Sequence, residues 1–240
     1  MKRTISVCMA TYNGASFIKE QIDSILSQLT EKDELIISDD GSTDGTIDII
    51  KSYKDTRIHI VQNLGTHGCT PNFENALRLA QGEIIFTADQ DDIWEVDKVS
   101  SCLRYMEEYD FICHDACLVD LYGNVTADSF FYERGTKISN FSNIIRFAGL
   151  GCCFCFKRSI LKRALPIPIR YDLVSHDNWL YLIAAIYYKT KLVPEKLIRY
   201  RRHSGAISTG SGKSNNSIWM KIYYRIYMWM CSLGRFIYIK

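Results

Sequence analysis

The chain has 240 residues, 47% of them hydrophobic and 23% charged, the ordinary proportions of a globular protein with room for one large α/β domain or two small ones. A net charge of +2 hides an acidic body and a basic tail: residues 196–240 hold nine Lys or Arg and no acid, leaving the rest at −7. Met1-Lys2-Arg3-Thr4 leads into a strand-like run rather than a long apolar segment, so no secretory signal and a reducing, cytoplasmic setting are expected.

Residues 5–10 read as a first buried strand, followed by the turn Thr11-Tyr12-Asn13-Gly14. Ile18, Ile22, Ile25, Leu26 and Leu29 recur at helical spacing and predict an amphipathic helix over 16–28. Leu35-Ile36-Ile37 is a second buried strand that ends in Ser38-Asp39-Asp40-Gly41-Ser42-Thr43-Asp44-Gly45, before a second helix marked by Ile47, Ile50 and Tyr53. A third strand covers 58–61. Thr70-Pro71 then opens a third helix, with a cap hydroxyl and a proline at the first helical position, and Gly82 closes it.

Glu83-Ile84-Ile85-Phe86-Thr87-Ala88 is the fourth strand, apolar enough to be buried on both faces, and it runs into Asp89, Asp91 and Asp92. Three acids at one strand end repel one another unless a cation joins them, and hard divalent ions prefer carboxylate oxygen. Asp89 and Asp91 flank one residue, so a single turn can aim both at one ion. The bland alternative, an acidic cap on the next helix, explains one acid and not three.

Beyond this loop come a helix over 96–109, a strand at 111–114, a hairpin turn at Tyr122-Gly123-Asn124 and an apolar strand over 149–156. Cys152-Cys153-Phe154-Cys155 lies in that run, where cysteine behaves as a small buried hydrophobe. His176-Asp177-Asn178-Trp179 opens a further helix. Two short strands follow at 191–193 and 197–200, then the loop Arg201-Arg202-His203. Strands and helices alternating at short spacing imply βαβ units and a parallel sheet, with the acidic loops at 39–44 and 89–92 on one edge.

These residues resemble family 2 glycosyltransferases of the GT-A fold. The matching pieces are residues 6–14, Ser38-Asp39-Asp40-Gly41-Ser42-Thr43-Asp44, Ala88-Asp89-Gln90-Asp91-Asp92-Ile93-Trp94, His176-Asp177-Asn178-Trp179 and Tyr200-Arg201-Arg202-His203, in that order. The resemblance is nearest to bacterial rhamnosyl- and hexosyltransferases of O-antigen and capsule synthesis. It implies an α/β fold with a mixed, mostly parallel sheet and inverting, metal-dependent transfer from a UDP-hexose or dTDP-rhamnose to a lipid-linked glycan. By that similarity Thr11, Asn13, Asp39, Asp40, Asp89 and Arg202 would hold the nucleotide-sugar. Asp89, Asp91 and His203 would bind Mg²⁺ or Mn²⁺, and Asp177 would be the catalytic base.

Residues 1–207 are expected to form the catalytic domain, 208–216 a Ser/Gly/Asn-rich linker and 217–240 a basic, aromatic amphipathic helix. Basic residues beside Trp and Tyr suit an anionic membrane surface at the inner face of the cytoplasmic membrane; a helix docked on protein is the alternative. A nucleotide-sugar-binding protein without catalysis is the rival function. A dehydrogenase is excluded because no GxGxxG follows the first strand, and the acids at the sheet edge argue against nucleic-acid binding.

Overall fold

A computed structural model describes residues 3–136, 149–202 and 217–236. Among them nine strands form one sheet: β1 (Ile5–Thr11), β2 (Glu34–Asp39), β3 (Ile58–Gln62), β4 (Ile84–Ala88), β5 (Ile93–Trp94), β6 (Phe111–Val119), β7 (Val125–Ala127), β8 (Phe154–Lys157) and β9 (Thr190–Arg201). The order is β3-β2-β1-β4-β8-β6-β9-β5, with β7 paired to β6. β3, β2, β1 and β4 are mutually parallel, whereas β8 is antiparallel to both its neighbours. The parallel half needs crossover helices, and these are α1 (Ile18–Leu26), α2 (Thr46–Ser52) and α3 (Cys69–Leu79). The remaining helices are α4 (Lys98–Tyr105), α5 (Phe130–Arg134), α6 (Leu161–Ala164), α7 (His176–Tyr187) and α8 (Ile218–Gly234).

The apolar runs of β1, β2 and β4 are buried except at the half-buried Ala10, as strands covered on both faces must be. Parallel register sets Thr11 beside Asp39 and Met9 beside Ala88, so the loops after β1, β2 and β4 open on one edge. Gly82 does not close a helix. A Cβ there would lie 2.5 Å from the Ser6 backbone nitrogen, so only glycine lets the chain pass β1 on its way into β4.

Three other expectations change. The third helix begins at Cys69 after Gly68, and the Thr70 hydroxyl accepts the His176 N–H at 3.1 Å instead of capping its own helix. The apolar run at 149–156 opens as a 3₁₀ turn, Gly151–Cys153, before β8. The two short strands near 191–200 are one strand, β9, whose register against β6 shifts beyond Val193, so Pro194 sits at an irregularity rather than in a turn. The linker at 208–216 and His203 lie outside the described residues.

Candidate active site

The loops after β1 and β2 are knitted into one platform. Asn13 takes a left-handed backbone conformation, its N–H donates to Ser42 Oγ at 2.9 Å and its Oδ1 accepts the Thr43 N–H at 2.8 Å. Asp39, buried at the end of β2, accepts from the N–H groups of Gly41 and Ser42 and from the Ser42 hydroxyl. Asp40 accepts from Asn63 Nδ2 at 2.7 Å, from His67 Nδ1 at 3.0 Å and from the Gly68 N–H at 2.8 Å. A carboxylate has about four acceptor positions, so each acid keeps about one for another donor.

The acidic loop is tied to this platform through Gln90. Its Oε1 accepts Thr11 Oγ1 at 2.6 Å and the Tyr12 N–H at 2.9 Å, while its Nε2 donates to the Tyr12 carbonyl at 3.0 Å. Gln21 Nε2 adds a bond to the Asp89 carbonyl at 2.7 Å. Arg201 holds the loop from the other side: its N–H donates to Asp92 Oδ1 at 3.0 Å and its Nε to the Asp91 carbonyl at 2.9 Å. Arg201 is therefore the buried last residue of β9 rather than the start of the loop that follows. The neighbouring Arg202, half-buried, donates its N–H to the Val119 carbonyl at 2.9 Å, and its Nε is buried with no partner among the described residues.

The acids differ in setting. Asp89 and Asp91 are half-buried and Asp92 is fully buried. Burial, then the nearby Asp91 carboxylate, pushes Asp89 up to about 7, with the charge of Asp177 adding to the same effect. Burial, then the charges of Asp91 and Asp89, hold Asp92 well above the usual carboxylate range. Lys98, buried with its Nζ 2.9 Å from the Cys152 carbonyl and 4.2 Å from the Trp94 ring centroid, supplies positive charge behind the loop.

The 3₁₀ turn joins this loop to the start of α7. Thr87 Oγ1, near the end of β4, donates to the Gly151 carbonyl. A Cβ on Gly151 would lie 2.9 Å from His176 Nε2 and 3.2 Å from Asp177 Cβ. Asp177 stands half-buried in the first turn of α7, where its Oδ1 accepts the Asn178 N–H at 2.7 Å. His176 stacks on Phe73 with ring centroids 3.9 Å apart, and burial holds its imidazole below the usual range against the pull of Asp177. Cys69, at the start of α3, marks the centre: burial raises its thiol, and Asp89, Asp177, Asp91 and Asp40 all push in the same direction. Four acids from two loops and a helix terminus thus share one basin.

Donor atoms of Asp89, Asp92 and Cys152 lie within 4.8 Å of one another, a grouping in which Asp91 has no part. Burial raises both the Cys152 thiol and the Asp92 carboxyl, which disfavours the ionised forms that a hard ion needs. Asp89 and Asp91 are the half-buried carboxylates of this loop, and paired carboxylate oxygens fit a divalent cation. Thr11, Asn13, Asp39, Asp40, Asp89, Asp91 and Asp177 therefore meet at one edge, with Arg202 at the end of β9. Gln90, Gln21, Gly151, Cys69 and Lys98 were not legible as site residues. Lys98 alone carried a signal: a cation in the first turn of a helix opposes the helix dipole, and here it answers an acidic loop.

The family description that matches is Glycosyl transferase family 2, over residues 6–165. The chain is 28% identical over 235 residues to the Escherichia coli UDP-Glc:alpha-D-GlcNAc-diphosphoundecaprenol beta-1,3-glucosyltransferase WfaP, covering 92% of this chain and 89% of that one. It is 27% identical to the Shigella flexneri dTDP-rhamnosyl transferase RfbG, with 81% and 71% covered. Staphylococcus aureus TarS 1–349 in complex with UDP-GlcNAc shares the fold at a TM-score of 0.69 and 16% identity, over 95% of this chain and 66% of that one. The mannosyltransferase PcManGT from Pyrobaculum calidifontis, in complex with GDP-Man and Mn²⁺, does so at 0.60 and 21%, over 99% and 65%. The chain thus spans less than two thirds of either solved chain. With this match over residues 6–165 and a GT-A arrangement of sheet and acidic loop, the chain belongs to glycosyl transferase family 2 and is a glycosyltransferase.

Proposed function

We propose that this chain moves a sugar from a nucleotide-sugar, a UDP-hexose or dTDP-rhamnose, onto a hydroxyl of a lipid-linked glycan in bacterial surface polysaccharide synthesis. Transfer inverts the anomeric centre and depends on Mg²⁺ or Mn²⁺. The observation that carries this is the shared basin: the Gly151 turn accepts from Thr87 near the end of β4 and leaves no room for a Cβ against Asp177, which sets that acid beside the acidic loop. The names of the relatives WfaP and RfbG supply the donor classes and the diphosphoundecaprenol-linked acceptor.

Thr11, Asn13, Asp39 and Asp40 hold the base and ribose, the two acids through the acceptor positions their own loops leave open. Asp89 and Asp91 hold the divalent ion, which when bound neutralises the departing diphosphate. Arg202 extends positive charge toward the same phosphates. Asp177 accepts the proton of the acceptor hydroxyl as its oxygen attacks the anomeric carbon. The carbon–oxygen bond to the diphosphate breaks in the same displacement, its electron pair leaves with the phosphate, and the configuration inverts. The buried ring of His176 and the bare Gly151 keep Asp177 at that height.

The test is a panel of UDP- and dTDP-sugars assayed for donor hydrolysis with and without Mn²⁺ or Mg²⁺. One donor class is cleaved with metal, excess chelator abolishes cleavage, and Asp91→Asn loses activity while remaining folded. Full activity in excess chelator contradicts the metal assignment.

A further inference from the structure

Among the described residues no helix is long and apolar enough to cross a membrane. The two sides of α8 nonetheless have different fates. On one side Met228 and Ser232 are buried, and Tyr187 Oη donates to the Ser232 carbonyl at 2.6 Å. Just past the helix Arg163 Nη1 donates to the Arg235 carbonyl at 3.1 Å, and the Arg235 guanidinium donates to the carbonyls of Leu165 and Pro166. The tail is therefore fastened to the catalytic domain rather than trailing from it. On the other side Trp219, Ile222, Ile226, Met230 and Leu233, spaced by three or four residues, form one exposed apolar stripe, with Tyr223 and Trp229 along its borders. Trp219 is 78% exposed and Met230 67%.

An apolar stripe of this length on a water-soluble surface marks something that covers it. We propose that it lies in the interface of a bilayer bearing anionic headgroups, so that α8 is a rigid bracket between lipid and the catalytic domain. Composition favours lipid over a second copy of the chain. Trp and Tyr rings settle at the headgroup boundary and bases pair with headgroup phosphates, whereas protein interfaces are depleted in lysine. Lys221 and Arg225 lie on the helix, and no acid occurs anywhere from residue 196 to 240. Leu165, which receives Arg235 on the docked side, also lines a cavity of about 680 Å³ bordered by the exposed Arg158, Lys162 and Glu83. The inference rests on the lipid-linked acceptor only for its purpose, since an acceptor held in a membrane must be met there.

The full chain is sedimented with vesicles of phosphatidylglycerol mixed with phosphatidylcholine, and with phosphatidylcholine alone, while Trp219 and Trp229 report by fluorescence. Binding to the anionic vesicles with a blue shift is expected, much weaker on neutral ones. The double variant Ile226→Asp, Leu233→Asp should lose roughly tenfold per side chain in vesicle affinity, while thermal unfolding and donor hydrolysis stay unchanged. No binding by the parent, or equal binding by the variant, overturns the proposal. So does a parent dimer that the variant turns monomeric with vesicle binding unaltered, because the stripe would then be a self-association face. Vesicle binding in a chain that cleaves no nucleotide-sugar leaves the proposal standing and removes the donor reading instead.

Discussion

Arg201 and Asp92 meet back to front: the arginine N–H donates to the buried carboxyl at 3.0 Å, while its side chain turns away to the Asp91 carbonyl at 2.9 Å. The guanidinium goes on to the Leu121 carbonyl at 3.0 Å and to Glu20 at 2.6 Å. One residue at the end of β9 thereby fixes the height of the acidic loop.

Replacing Arg201 with alanine should destabilise the fold by about 2–3 kcal/mol, mostly from the stranded carbonyls of Asp91 and Leu121. The exposed Glu20 pair adds little. Donor affinity in the presence of metal should fall as well. Arg201→Lys keeps the charge but not the planar fork, so it should restore stability only in part. Urea unfolding and calorimetric titration with the nucleoside diphosphate check both. An alanine variant with the parent's midpoint and affinity would show that the loop holds itself.

Gly151→Ala tests the spacing between the acidic loop and α7. The added Cβ meets the rim of a histidine ring stacked on Phe73 and cannot be absorbed by a flexible chain. A displacement of Asp177 by a fraction of an ångström should lower kcat roughly tenfold to a hundredfold. Donor affinity should stay near that of the parent, because the nucleotide platform lies on other loops. An unchanged kcat would mean that Asp177 is not held through this contact.

Much of this was legible because the residues concerned announce themselves. The runs of β1, β2 and β4 are too continuously apolar to be anything but buried strands, and acids clustered after two of them can only lie at the sheet's carboxyl edge. What stayed hidden depends on partners distant in sequence. Gln90 is a neutral residue between two acids, and nothing local says that its amide clamps Thr11 and Tyr12. Arg201 is a base among bases, and only the bulged pairing of β9 turns it inward. Pro194 resembles a turn and is an irregularity within a strand. The tail's helical period was plain, but not which side docks: Ser232 and Arg235, polar residues both, turn to the protein.

The buried histidines set an acid limit. His114 lies fully buried with its Nδ1–H donating to the Asp115 carbonyl at 2.7 Å, and burial, helped by the charge of Lys98, holds its imidazole well below the usual range. The unfolded chain takes a proton there near about pH 6.5 and the fold does not, so the unfolded state binds more protons and stability falls as pH drops below that value. The slope is about 1.4 kcal/mol per pH unit. Asp89 and Asp92, raised in the fold, contribute with the opposite sign, so the difference from a variant is the informative quantity. Between pH 7.5 and 5.5, His114→Asn should lose less urea stability than the parent by about that slope below pH 6.5. Parallel curves would mean that His114 is protonated within the fold.

The most direct measurement is single-turnover transfer by Asp177→Asn with a saturating nucleotide-sugar and divalent metal. The substitution keeps the shape of the first turn of α7 and removes the group that takes the acceptor's proton. Transfer should slow by roughly 10²–10⁴-fold, the range of general base catalysis, with donor affinity unchanged and any residual product inverted at its anomeric carbon. A variant that transfers at nearly the parent's rate, or a parent product with retained configuration, would contradict Asp177 as the base of an inverting transfer.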